Sequence, residues 1–271
     1  MPFATTNGIS TYYESWGAGE PLLLLHNDAL SLAVWRRLLP HLAARWRVIV
    51  YDRRGHGQSG IPSREAPYTV EVLAEDLRTL MDVLGLQTTR LFGCSGGANA
   101  ALAFTLALPK RVSHLILAEP PIMGLQHDYA LDTGGLSSDT VARIMQEQDV
   151  EAGLEYWFRA VLSPAKAAAL VRGRYRTLLL SRPAWLIQAI LRSSEAFDPG
   201  PRLSEVRQPV LLLQGGKTHP LFSGVMDVLE SRLPRARRLV LPGVDHAGLL
   251  APSELLLSVV QSFLSDENAT A

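Results

Sequence analysis

The sequence predicts an α/β fold: a mostly parallel central sheet flanked by helices, with a helical cap set into it. Three observations carry this. Short apolar runs alternate with longer helical patterns, the alternation lapses once for a long helical stretch, and one strand-to-helix turn is built of Gly, Cys and Ser. Strands buried on both faces read as continuous apolar runs, which is how parallel strands in such sheets read.

The elements follow in order. Ile9–Trp16 alternates and reads as a strand near a sheet edge. Leu22–Leu25, Val48–Tyr51, Leu91–Cys94, Leu115–Ala118, Val210–Leu213 and Leu239–Leu241 are continuous apolar runs and read as inner strands. Helical patterns lie between them at Leu30–Ala44, Val70–Leu84, Gly96–Ala107, Phe222–Leu233 and Ser253–Leu264. Such strand–helix alternation implies a sheet with helices on both sides. From Met123 to Arg202 no strand signal occurs. Helical patterns at Ser138–Gln148, Glu151–Val161, Pro164–Leu179 and Pro183–Leu191 fill the gap, so residues 123–202 are expected to form a cap over the strands' carboxyl ends, where α/β ligand sites lie. Residues 1–122 and 203–271 then form the core domain, with Ser265–Ala271 as a frayed tail.

Composition narrows the function classes. The 271 residues carry 26 Lys+Arg against 26 Asp+Glu, for zero net charge, which argues against a phosphate-binding surface and so against nucleic acid. The single cysteine, Cys94, has no partner for an internal disulfide. Met1–Ser10 lacks the basic and apolar regions of a signal peptide, and the longest apolar stretch, Ala98–Leu108, is too short to span a bilayer. A cytoplasmic protein, monomeric or homodimeric and without a membrane partner, is expected. The histidines have no metal-ligand spacing and no dinucleotide fingerprint occurs, so no metal and no cofactor is expected.

The chemistry-bearing motif is Gly93-Cys94-Ser95-Gly96-Gly97, after the strand Leu91–Phe92 and before the helix Ala98–Ala107. This is the setting of a nucleophile elbow, a tight turn that presents the Ser95 hydroxyl. A serine needs a base. In this architecture the base follows the last strand, and of seven histidines only His246, in Pro-Gly-Val-Asp-His-Ala-Gly, has that address. His56, in Asp-Arg-Arg-Gly-His-Gly-Gln-Ser, reads as structural. The acid is displaced from its commonest position: the loop Gln214–Pro220 has none, whereas Glu119 ends the strand Leu115–Ala118, 24 residues after Ser95. From there its carboxylate reaches the far nitrogen of His246 and holds its tautomer. Gly96 N–H is one oxyanion donor. The second comes from His26-Asn27-Asp28-Ala29, with Asp28 N–H favoured over Asn27; the Asp28 side chain is also read as the cap of the helix around Leu30.

These residues together resemble the α/β-hydrolase superfamily, which implies the α/β-hydrolase fold over the chain. Supporting stretches are Leu-Leu-His-Asn, Arg47-Val-Ile-Val-Tyr-Asp-Arg-Arg-Gly-His-Gly-Gln-Ser59 and the serine motif. The sequence departs from the usual pattern at His26-Asn27, where His-Gly is common, and in the missing late Asp. Within the superfamily, Phe92-Gly-Cys-Ser-Gly-Gly, Glu119-Pro-Pro, Pro183-Ala-Trp185 and the opening Asn7-Gly-Ile-Ser-Thr-Tyr-Tyr-Glu are similar to motifs of the zearalenone lactone hydrolases. That resemblance implies an ester hydrolase acting on the lactone of an aryl macrolide, with Trp185 packed on the substrate. Other cap candidates for an apolar pocket are Met123, Leu125, Tyr156, Trp157, Phe158 and Phe222. The expected partner is a small apolar ester or lactone. Alternatives are a general carboxylesterase, a cofactor-independent dioxygenase of the same fold, and a non-catalytic receptor. An epoxide hydrolase or dehalogenase would need an Asp where Ser95 stands.

Overall fold

The computed structural model describes residues 2–128 and 137–266. Eight strands form one sheet: β1 (Phe3–Thr6), β2 (Ile9–Trp16), β3 (Pro21–Leu25), β4 (Arg47–Tyr51), β5 (Thr89–Cys94), β6 (Val112–Ala118), β7 (Val210–Gly215) and β8 (Ala236–Leu241). Their order is β1-β2-β4-β3-β5-β6-β7-β8; β1 and β2 pair antiparallel and β4 through β8 are parallel. Five of the six continuous runs are inner strands of this sheet; the expectation for Leu239–Leu241 is corrected, because it lies in β8 at the sheet edge, where Val240 is exposed. The hairpin strand β1 is an addition to the sequence reading. Its signal is Asn7-Gly8, both in left-handed backbone, as a two-residue hairpin turn requires.

The continuous runs divide between two faces. Leu23, Leu25, Ile49, Leu91, Leu115, Leu117 and Leu212 join one apolar cluster, while Leu22, Leu24, Val48, Val50, Phe92, Ile116 and Leu213 join another. Alternate side chains of a strand point to opposite faces, so both parities must be apolar when both faces are covered. The first face is covered by α2 (Val70–Val83) and α3 (Gly96–Ala107). The second is covered by a 3₁₀ turn at Leu32–Trp35, by α1 (Leu39–Leu42) and, late in the chain, by the helix Glu254–Leu264.

Among the described residues between β6 and β7, the chain runs through two 3₁₀ segments, Met123–Asp128 and Gly200–Glu205, and five helices: α4 (Ser138–Glu147), α5 (Val150–Arg159), α6 (Pro164–Arg172), α7 (Arg176–Leu180) and α8 (Ala184–Ala196). Residues 129–136 of this stretch lie outside the described residues, as do 267–271 of the expected tail. The chain ends with α9 (Pro220–Arg232), β8 and α10 (Glu254–Leu264).

Two helical expectations are corrected. Leu30–Ala44 is not one helix: Ser31 caps the 3₁₀ turn Leu32–Trp35, and α1 starts afresh with Pro40 in its first turn. Proline suits a helix start and not its interior. Pro164–Leu179 is two helices, because Gly173 takes an extended conformation that ends α6.

Candidate active site

The elbow follows from local sterics. Ser95 has φ 53° and ψ −130°, outside the regions that L residues favour. The glycines around it are required by close approach. A Cβ on Gly93 would lie 2.5 Å from Ala98 Cα, and one on Gly97 would lie 2.3 Å from the Leu25 carbonyl oxygen. Ser95 N–H donates to Ala118 O at 2.8 Å, tying the turn to the end of β6. Ser95 and Cys94 both face a cavity of about 710 Å³. Cys94 is buried, and burial pushes its thiol far above the usual range, so it is an inert neighbour.

Glu119, the first residue after β6, is fully buried and also left-handed, at φ 44°. Strain of this kind costs about 1–3 kcal/mol and persists only where its surroundings enforce it. Here they do. Glu119 N–H donates to Leu213 O at 3.2 Å, and Glu119 Oε1 accepts from Gly215 N–H at 2.7 Å. The loop that lacks an acid therefore contributes a backbone donor. The other oxygen, Oε2, lies 2.6 Å from His246 Nδ1. That contact makes Nδ1 the protonated nitrogen and leaves Nε2 free to act as a base. Phe222 stacks on the His246 ring, with centroids 4.2 Å apart and planes 7° from parallel. His246 also lines the cavity. No hydrogen bond joins Ser95 Oγ to His246 here; such contacts often tighten only when substrate binds.

The turn after β3 is held from behind. His26 Nδ1 contacts Asn27 O at 2.7 Å, and His26 Nε2 accepts from Arg53 N–H at 2.9 Å. Burial, with Arg53 adding to it, holds His26 well below the ordinary imidazole value, so it is neutral with the proton on Nδ1. The Asp28 carboxylate is paired with the buried Arg53 at 2.7 Å and lies against Gly96, where a Cβ would be 2.0 Å from either oxygen. The expectation that Asp28 caps the next helix is corrected: Asn27 Oδ1 accepts from Leu30 N–H at 2.9 Å, and Ser31 caps the 3₁₀ turn. The pull of a buried arginine, which a carboxylate answers better than an amide, takes Asp28 away from the capping role. Among the described residues, neither Asp28 N–H nor Gly96 N–H has a protein acceptor.

The cavity wall includes Met123, Trp157, Phe158 and Phe222, with Trp157 stacked on Phe158 at 5.0 Å. It does not include Leu125, Tyr156 or Trp185. The 3₁₀ segment turns Leu125 fully into the core, where it packs near Gly200. Trp185 is half-buried and rests on the core cluster: α8 directs Leu186, Ile187 and Ile190 inward and Leu191 and Ser194 to the cavity, which leaves position 185 off the wall. Residues outside the sequence reading also line the cavity, among them Leu30, Val34, Leu162, Leu170, Leu221 and Leu250, and four cations, Arg36, Arg37, Lys166 and Arg174. The apolar ones follow from which helix faces turn to the sheet edge. Nothing local in the sequence marks the cations. Among the described residues no cluster of His, Cys, Asp or Glu has the form of a metal site, and no helix is long and apolar enough to cross a membrane.

Comparison with known proteins bears on this arrangement. A family model described as the alpha/beta hydrolase fold matches residues 20–251. The chain belongs to the α/β-hydrolase fold family. This α/β hydrolase is 29% identical over 257 residues to a pimeloyl-[acyl-carrier protein] methyl ester esterase of Nitrosomonas europaea, covering 92% of this chain and 97% of the relative. It is 28% identical over 244 residues to a putative carbamate hydrolase RutD of Caulobacter segnis, covering 87% and 88%. A hydrolase structure from Pseudomonas aeruginosa PA01 superposes with TM-score 0.78 at 25% identity over 97% of both chains. The enol-lactonase of Burkholderia xenovorans LB400 shares the fold, with TM-score 0.79 at 20% identity over 98% of this chain and all of that one.

Proposed function

We propose that this α/β hydrolase is a serine hydrolase that cleaves a carboxylic ester or lactone with a bulky apolar body. The observation that carries the reading is the His246 Nδ1–Glu119 Oε2 contact of 2.6 Å, with Glu119 buried and its second oxygen occupied by Gly215 N–H. A carboxylate so placed has one role open to it, to orient the imidazole and to stabilise its protonated form. Ser95 Oγ attacks the ester carbonyl as His246 Nε2 takes its proton. Gly96 N–H and Asp28 N–H receive the oxyanion. His246 then protonates the leaving alkoxide, the acyl–Ser95 ester forms, and a water activated by His246 hydrolyses it. In a lactone the alkoxide stays tethered, so a single hydroxy acid results.

The finer reading, the lactone of an aryl macrolide of the zearalenone kind, draws on the motif resemblance and on a cavity of about 710 Å³. It does not draw on Trp185, which is off the wall; the stacked Trp157 and Phe158 offer the aryl-packing surface instead. Product analysis over a panel of p-nitrophenyl esters and aryl macrolactones tests both levels. The macrolactone reading expects loss of lactone with one hydroxy-acid product, and a preference for short esters overturns it. Ser95→Ala is expected to lower kcat by about 10⁴-fold or more, and retained turnover overturns the serine mechanism.

A second reading has its own observation. Of the four cations on the wall, Arg36 is paired with Glu14 and Lys166 with Asp245, while Arg37 and Arg174 have no carboxylate partner among the described residues. Two such guanidinium groups favour an ester whose far end carries a carboxylate or phosphate. Matched esters ending in carboxylate or methyl discriminate: a KM at least tenfold lower for the anionic ester, lost at high salt, supports it, and equal KM values overturn it.

A further inference from the structure

Arg182 lies between α7 and α8, far in sequence from the turn after β3, yet it reaches that turn. Its side chain is buried, and Nη1 donates to Asp28 O at 2.7 Å while Nη2 donates to Ala29 O at 2.6 Å. The same turn is held at two more points. His56 Nε2 lies 3.0 Å from Asp28 O, and His26 Nδ1 lies 2.7 Å from Asn27 O. Three consecutive carbonyls, of residues 27, 28 and 29, thus accept bonds from behind the turn.

A peptide unit is planar and trans, so its N–H points opposite to its C=O. Fixing the carbonyls of residues 27, 28 and 29 therefore fixes the direction of the N–H groups of residues 28, 29 and 30. The last of these bonds to Asn27 Oδ1. Among the described residues, Asp28 N–H and Ala29 N–H have no protein acceptor, and both residues line the cavity with Ser95. Of the groups that hold the carbonyls, His26 and His56 belong to the core. Arg182 alone comes from the helical insertion, and it is the group bonded to two carbonyls at once.

We propose that Arg182 is a positioning residue for the Asp28 oxyanion donor, and that through it the docking of the α7–α8 segment sets the geometry in which Asp28 N–H, together with Gly96 N–H, meets the developing oxyanion. The planar guanidinium fork matches two adjacent carbonyl oxygens, which a lysine ammonium cannot do with the same rigidity. Arg182 stays cationic at neutral pH although burial lowers it to about 10. The segment therefore has a function besides enclosing the cavity: the anion site is complete only with the insertion seated on the core.

The proposal rests on the serine-hydrolase reading, and its test separates the two. The probes are an aryl boronic acid, which becomes tetrahedral on a serine oxygen, and a p-nitrophenyl ester. Wild type must bind the boronate and Ser95→Ala must not; failure there overturns the serine-hydrolase reading and removes the basis of this one. Arg182→Met and Arg182→Lys are then compared with wild type by kcat, KM, boronate affinity and melting temperature. A displaced oxyanion donor is expected to cost about 10–100-fold in kcat, because a shift of about 1 Å costs that much. Boronate affinity should fall in parallel, KM should stay within about threefold, and Lys should recover part of the loss. Unchanged kcat and boronate affinity in a folded variant overturn the proposal, as does a loss confined to KM. If the Met variant does not fold, the Lys variant decides by the same two readouts.

Discussion

At the scale of single residues, this site is a set of strained or crowded positions, each enforced by a named neighbour. Ser95 and Glu119 both have positive φ without being glycine, and both end inner strands. Gly96 has the Asp28 carboxylate against it, so Gly96→Ala must displace that carboxylate and with it the turn after β3 proposed to hold the oxyanion. The variant is expected to lose about 10²-fold or more in kcat; full activity would show that the turn takes no part. Glu119→Gln keeps the shape and the Gly215 bond but removes the charge that favours imidazolium. Its kcat is expected to fall by about 10³–10⁴-fold, measured at saturating ester. The placement of Ser95, Glu119 and His246 at the carboxyl ends of strands was legible because short sequence windows reveal those positions. The capping exchange between Asn27 and Asp28 was not, because Arg53 decides it from 25 residues away.

At the scale of elements, the boundaries depend on proline, glycine and the neighbours of each helix. The runs from Leu22 to Leu213 were readable as strands because their two parities feed two covered faces, whereas β8 lies at the edge with Val240 exposed. The split of 30–44 turns on Pro40, and the split of 164–179 on Gly173. Both residues are visible in the sequence, yet the surrounding apolar pattern masks the break. Which face of α8 meets the cavity was not visible: Trp185 and Leu191 are both apolar residues of one helix, and tertiary packing alone sends Leu191 to the wall. This gives a discriminating pair of variants. Trp157→Ala is expected to raise KM about tenfold for a bulky aryl ester and little for an acetate, since a lost aromatic contact is worth about 0.5–1.5 kcal/mol beyond its area. Trp185→Ala is expected to leave both KM values unchanged. The reverse ranking, read from steady-state kinetics on the two esters, would contradict the cavity wall described.

At the scale of the whole molecule, zero net charge conceals local concentrations. Cations gather on the cavity wall, and a buried group of Arg53, Arg182, His26 and His56 lies behind the turn after β3. That group ties stability to pH. Burial holds His26 and His56 well below the ordinary imidazole value of 6.5. Between their lowered values and 6.5 the unfolded chain binds more protons than the folded one, so stability rises with pH across that window. The stabilisation is complete above about pH 6.5 and is lost as pH falls toward the folded-state values. Buried Asp52 and Asp76 are shifted upward and act in the opposite sense, within the more acidic carboxylate range. Melting temperature should therefore be nearly flat from about pH 7 to 8 and drop between about pH 6.5 and 5; a rise over that interval would contradict the neutral, buried state of these histidines. The fold as a whole was legible from the alternation of runs and from one turn motif, whereas the buried polar group was not, because its members come from three separate stretches of chain, around His26, around Arg53 and His56, and at Arg182. The central claim is that Ser95 is the nucleophile of this molecule, and covalent labelling tests it most directly. Intact-mass and peptide analysis after reaction with a fluorophosphonate should give one adduct per chain on the peptide that contains Ser95, absent in Ser95→Ala. A label elsewhere, or ester turnover that persists in Ser95→Ala, would contradict it.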